Sequence, residues 1–480
     1  MDTKTRTNPF SELMTLRGGP PPAAGEVTIT GSDPVYPTVF RIGDTAAAVI
    51  ASIGVAVNDL WESKAGRRQK IAVDTRHAAA TMRTADFTYF KNADGRYEPA
   101  ALDPQMQRMR QRTQPWPTKD GRWFLPHLNL PELSARVLGV LKCENTVEGV
   151  RDAVAQWNAD DLEEAIAKAR ACGGKVRSNT EWMAHPQGQY LAKRPLIEIE
   201  KIGETAPMPL PASSPTCERP LTGIRVLDLT RILAGPVAAR TLAEHGAEVL
   251  MVTARHLPQT PEHVRDTSQG KRSCYLDLAQ PEQSAKLKEL VRGADVFSQG
   301  YRPGVLAARG FGPEELAKVR PGIVVLTISC YGSGGPFAER AGWEQVAQTV
   351  TGICHDNCDA DSSGARRPTL IHAAACDWIT GYLGAYGVLL ALTRRAREGG
   401  SYHVRVSLCQ SGMFIQRQGK GVLDTALKGL SRVEAEKLQI AADSPYGPMR
   451  FLQPVVQMSE TPAHWARSTP KLGGDEPKWP

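Results

Sequence analysis

The chain has 480 residues, of which 41% are hydrophobic and 23% charged, and a formal net charge of +7. That is a globular composition, long enough for two or three domains with a substantial core. Lys and Arg are scattered rather than gathered in a stripe, which argues against a nucleic-acid partner; a mild positive excess suits a small anionic ligand. Nine cysteines at low density, and an N-terminus without the apolar core of a secretory leader, lead us to expect a reduced, cytoplasmic setting. No apolar run is read as approaching the roughly 18 residues of a membrane helix, so no membrane association is expected.

In chain order, residues 1–40 are rich in Pro, Gly and Thr and read as an arm without helix. DTAAAVIASIGVAVNDLW, from Asp44, predicts a buried helix, and Ile71 and Val73 alternate as in a short strand. Turns are expected at Asp94-Gly95 and Asp120-Gly121. An acidic helix over 160–172 is read as stopped by Gly173-Gly174. ETAPMPLPASSPT is a Pro/Ser linker. Beyond it the pattern changes. Strands at 223–230, 248–253, 294–298 and 322–329 alternate with helices at 234–247 and 281–293, which predicts a parallel, Rossmann-like sheet covered on both faces. The turn TRILAGP after Asp228 has a single glycine, so the dinucleotide fingerprint is absent.

Five segments follow one another in a recognisable order: PLTGIRVLDLTRILAGPVAARTLAEHGAEVL (220–250), QGKRSCYLDL (269–278), YRPGVLAARG (301–310), TISCYGSGGPFAERAGWE (327–344) and DWITGYLGAYGVLLALTRRAREGGSYHVRVSL (377–408). Together they resemble the class III CoA transferases, the family of formyl-CoA transferase, L-carnitine CoA-transferase and the α-methylacyl-CoA racemases. The first half resembles the same family: Asp44, Gly54, Val55, Gly66 and Val73 stand 333 positions before Asp377, Gly387, Val388, Gly399 and Val406. Residues 115–205 are similar to the family's small domain, and GETAP (203–207) and SETPA (459–463) to two copies of its tail. The resemblance therefore implies an α/β chain, duplicated and unequally trimmed into a pseudo-dimer. We divide it into an arm (1–40), a partial large-domain helix and strand (41–84), a smaller α+β domain (85–203), a linker (204–219), a CoA-binding large domain (220–415) and a tail (416–480). One CoA site per chain is expected, in a monomer or a homodimer.

The resemblance assigns the attacking carboxylate to Asp377, which expels CoA from an acyl thioester to leave a mixed anhydride. Glu344 follows an aromatic residue, Trp343, as in the transferases, where the racemases carry a proton-shuttling His. Lys271, Arg272, Arg302 and Arg255 are expected to pair with CoA phosphates. Arg231 and Ala234 sit in the turn after the first strand. Gly332, Gly334 and Gly335 are expected to let backbone approach the ligand. Asp377 also has the sequence position of a helix N-cap, and Asp44 is read as a cap alone. Cys354-His355-x-x-Cys358 lacks a second ligand pair and is not read as a metal site. No permanently bound cofactor is expected; CoA is substrate and product. The reading is an acyl-CoA:carboxylate CoA-transferase. The alternatives are an α-methylacyl-CoA racemase or epimerase, with His355 and His372 in reserve, and an inactive acyl-CoA-binding protein.

Overall fold

The computed structural model describes residues 8–100, 104–210, 218–360 and 366–480. Two helices at its centre, Ile42–Ala65 and Ala375–Glu398, run 24 residues each and pack against one another. Both are long and apolar enough to cross a membrane, which corrects the expectation that no such run exists. Yet 94% and 100% of their most apolar windows are buried inside the protein. A helix apolar on every side belongs in a core, and these two form its middle.

Each long helix leads through a glycine (Gly66, Gly399) to a strand and a second helix. These are Ile71–Asp74 and Thr75–Thr81 in the first unit, Ser401–Ser407 and Leu408–Arg417 in the second. The long helices start and end 333 positions apart and the second helices start at the same spacing, the one seen in the sequence. Gly54 and Gly387 explain two of the shared identities. A Cβ on Gly54 would lie 2.8 Å from Ile71 and one on Gly387 2.6 Å from Val404, so each helix needs a bare backbone where its strand crosses.

The second unit's strand belongs to a seven-stranded sheet in the order Lys271–Tyr275, Glu248–Thr253, Arg225–Asp228, Val296–Gln299, Val324–Ser329, Ser401–Ser407, Glu198–Gly203. The first six strands are parallel and the last is antiparallel. The first unit keeps a remnant: Val27–Thr30 runs parallel to Ile71–Asp74, and Gln457–Met458 lies antiparallel on its other side. The tail of each unit thus pairs with the strand of the other, and the two halves strap each other. At the far edge of the large sheet the C-terminal segment covers Lys271–Tyr275, with Asp475 N–H donating to the Ser273 carbonyl at 2.7 Å. A sheet edge left bare would recruit other strands. Residues 116–171 hold a separate apolar core around Trp116, Phe124, Val137 and Leu162.

Two local expectations are corrected. The N-terminal arm contains a helix, Pro9–Arg17, capped by the Asn8 side chain, which accepts from Phe10 and Ser11 N–H at 3.0 and 3.3 Å. Leu13 is its buried anchor, and its carbonyl accepts from the Tyr386 hydroxyl. The acidic helix spans Ala159–Lys168, and Gly173-Gly174 lie in a strand, not at its end. A Cβ at Gly173 would meet the Leu125 carbonyl at 2.9 Å, and one at Gly174 would meet Val350 at 2.8 Å; close packing selects these glycines. Part of the Pro/Ser linker, residues 211–217, lies outside the described residues.

Candidate active site

Asp377 is the third residue of its helix, and Ala374 is the N-cap without a side-chain bond, so the cap reading of Asp377 is corrected. Asp44 holds the same third position behind Arg41. Neither carboxylate closes its own helix. The Asp377 carboxylate accepts from the backbone N–H of Ala234, the first residue of the helix Ala234–Ala243. An unsatisfied N–H at a helix start is a fixed partial positive charge, suited to holding an anion.

Glu344 opens the helix Glu344–Thr351 and is buried against Asp377. Its carboxylate accepts from Cys376 N–H at 3.1 Å, Asp377 N–H at 2.5 Å and Gln348 Nε2 at 2.6 Å. Burial pushes the Glu344 carboxyl up to about 7, with these donors opposing it. Burial and then the Glu344 charge push Asp377 well above the usual carboxylate range, against one N–H. Two carboxylates this close do not both ionise readily, so they share a proton near neutrality. Glu344 has the richer donor set, which favours its ionised form, while Asp377 is pushed further toward its protonated form. Attack requires the ionised form, so kcat/KM is expected to rise with pH through neutrality. Glu344→Gln removes the like charge and is expected to move the acid limb of the pH–rate profile down by about one unit or more; an unmoved limb would separate the two groups electrostatically.

These side chains, with Ile232, Leu233, Trp343 and His372, line a cavity of about 340 Å³. Ile232 has φ +76° and is the strained residue of the turn that delivers Ala234. A β-branched residue in that region is rare, and such strain gathers at functional turns. His127, from the small domain, stacks on Trp343 at 5.3 Å and bonds to the Gln345 amide oxygen at 2.9 Å. Burial holds His127 neutral, its pKa pushed down to about 4. Sequence reasoning missed Ile232, His127 and Gln348, since no motif marks them.

Arg231, Arg255 and Arg302 all follow C-terminal strand ends, the edge where open parallel sheets bind ligands. Arg231 donates to the Pro258 carbonyl at 2.9 Å and lies 5.6 Å over the Tyr301 ring. Arg255 lies 4.4 Å over Tyr275, and Arg302 donates to the Arg170 carbonyl at 2.8 Å. Burial, then the nearby charges of Arg170 and Arg136, push the Arg302 pKa down.

Other residues singled out in the sequence are engaged elsewhere. Lys271 has no exposed surface; its ammonium donates to Asp228 at 2.8 Å and to the Pro236 carbonyl at 2.9 Å. Arg272 is tied to the C-terminal segment through Asp475 at 3.3 Å and the Lys478 carbonyl at 3.0 Å. Gly332, Gly334 and Gly335 make their close approach to the small-domain helix Pro186–Ala192. A Cβ there would meet Leu191, Tyr190 or Gln187 at 2.7, 2.6 and 2.5 Å. Gln187 fastens that contact through the Tyr331 and Gly334 carbonyls. Lys271, with no exposed surface, is thus turned from solvent toward Asp228, while Arg272 and these glycines have protein partners of their own. His372 reaches the cavity, whereas His355 is exposed and bonded to Asp356.

Comparison with known proteins matches the family model "CoA-transferase family III" over residues 221–433. An acyl-CoA transferase of Gibberella moniliformis is 31% identical over 420 residues, covering 81% of this chain and 73% of that protein. An acetyl-coenzyme A transferase of Hypoxylon pulicicidum is 31% identical over 421 residues, 80% of this chain and 70% of its own. The solved structure of Rv3272 from Mycobacterium tuberculosis is 28% identical over 41% of this chain and 57% of that one, with a TM-score of 0.38. The chain belongs to CoA-transferase family III. It is accordingly a CoA-transferase, acting on acyl-CoA and carboxylate substrates with CoA itself as a reactant.

Proposed function

We propose that this chain transfers CoA through an anhydride on Asp377, at a single site per chain, in the cytoplasm. One observation carries the reading: the Asp377 carboxylate, held by the Ala234 N–H and backed by Glu344, lines a cavity beside the cationic sheet edge. An Asp377 oxygen bonds to the donor's acyl carbon as the C–S bond breaks, and CoA leaves as thiolate. The thiolate then attacks the aspartyl carbon and releases the donor acid, leaving an aspartyl-CoA thioester. The acceptor carboxylate attacks that thioester, frees the thiolate and forms a second anhydride. Attack of the thiolate on the new acyl carbon releases product and restores Asp377. Arg231, Arg255 and Arg302 take the phosphates of CoA, and Glu344 acts as a positioning residue for Asp377. The six-domain division stands within this proposal, with catalysis in 220–415.

Incubation with acyl-CoA and labelled free acid tests it. Label entering the thioester supports transfer. Deuterium exchange at the α-carbon without label transfer favours the racemase reading, for which His372 in the cavity is the one supporting feature. Saturable binding alone marks an inactive binder.

Asp44 has a counterpart of the same arrangement but no large sheet beside it. Asp33 accepts from Asp44 N–H at 2.7 Å, as Glu344 does from Asp377, and Asp44 is paired with Arg41 at 3.4 Å. Asp44→Asn is therefore expected to leave kcat within about twofold and, through weaker bonds to Asp33 N–H and Arg41, to alter only stability, by about 1 kcal/mol. Calorimetric titration should give one CoA per chain; two equivalent sites would count against a single centre.

A further inference from the structure

The Asp377 cavity adjoins a second, larger space. The two share walls at Ala85, Asp86, Met109, Arg110, Glu262 and His372. The second chamber measures about 1060 Å³, at the upper end of the roughly 300–1,000 Å³ that enclose drug-sized ligands. Much of its wall is apolar, with Phe90, Met109, Leu130, Pro131, Pro258 and Pro261 exposed to it.

Its charged groups already have partners, Asp86 being paired with Arg83. Arg110 is paired with Glu262 at 3.0 Å, and Arg265 lies 5.2 Å over the Phe90 ring. Asp86 and Glu262 present carboxylates to the same space. Arg231, Arg255 and Arg302 stand at the sheet edge instead. Arg231 reaches the Pro258 carbonyl in the chamber wall and so stands between the two regions. CoA phosphates suit the sheet-edge side. The chamber side suits a group that is large, uncharged and poorly hydrated.

We propose that this chamber receives the acyl chain of the exchanged acid, and that the acid is an apolar monocarboxylate of about eight carbons or more rather than a short dicarboxylate. The proposal rests on the CoA-transfer reading for its chemistry but not for its binding site. A short diacid would leave most of the space to water and set its distal carboxylate against a mostly apolar wall.

The test is a pair of measurements on the full chain. Titration of Asp377→Asn protein, which holds ligand without turnover, should give decanoyl-CoA at least about tenfold tighter than succinyl-CoA. Ala85→Trp, filling the chamber from its partly exposed wall, should erase that advantage. Leu130→Arg, placing a cation in the same wall, should reverse it toward succinyl-CoA. Equal or tighter binding of succinyl-CoA, or an advantage that survives both substitutions in folded protein, overturns the proposal. In the wild type, kcat/KM for decanoate as acceptor should exceed that for succinate; a preference for succinate overturns the chamber assignment and leaves transfer intact. Tight decanoyl-CoA binding with no label exchange for any acid overturns the transfer reading and leaves the chamber assignment intact.

Discussion

Asp377→Asn is expected to lower CoA transfer by roughly three orders of magnitude or more while CoA affinity stays within about threefold. The amide keeps the size of the side chain and can accept from the Ala234 N–H, but its oxygen is a far poorer nucleophile. In the wild type, hydroxylamine should intercept the acyl-aspartyl species and leave a modified residue 377 in the peptide map; the variant should yield none. Stability supplies the control. Because the Asp377 carboxyl is raised in the fold, its contribution is fully present below the unfolded carboxyl pKa and is lost as pH rises through the folded value. Asn does not titrate, so the variant's stability should be flatter over that window and no lower than wild type at pH 8. Turnover retained in Asp377→Asn would remove the anhydride on this residue from the mechanism.

Lys271→Met carries the largest expected effect on folding. The ammonium and Asp228 are both without exposure, and Asp228 also holds the Thr230 N–H at 3.0 Å, which shapes the turn toward Ile232 and Ala234. Burial pushes the Lys271 pKa down, and the Asp228 charge opposes it. Removing one partner strands the other charge, a loss of about 3–5 kcal/mol by denaturant unfolding. Asp228→Asn in the same chain should recover part of that loss, since the orphaned charge is then gone. CoA affinity per folded molecule should change little. A variant of unchanged stability with weakened CoA binding would return Lys271 to the ligand.

Much of this protein was legible in its sequence because the signals are local. Apolar runs separated by polar turns marked four of the seven strands of the large sheet and their parallel arrangement. The helix that carries Asp377 was implied by the resemblance of residues 377–408, and the 333-residue repeat by five identities along the two long helices and the strands after them. Asp377 and Glu344 came from a motif order preserved over residues 220–408. What sequence could not supply were partners distant in the chain. Whether Lys271 faces solvent or Asp228 depends on a residue 43 positions away. The glycines at 332–335 look like ligand-loop glycines, but the neighbours that require them, Gln187 to Leu191, lie about 145 residues earlier. The Pro9–Arg17 helix has almost no amphipathic pattern of its own and is held by Tyr386 and Arg417. Isolated short helices are marginal in water, so it is tertiary packing that decides such an element. The exchange of tail strands between the halves, and the joining of Asp377 with Glu344 and the Ala234 N–H into one buried site, likewise follow from packing across more than 30 intervening residues. Periodicity and propensity act over a few residues; burial and charge pairing act wherever the folded chain brings groups together.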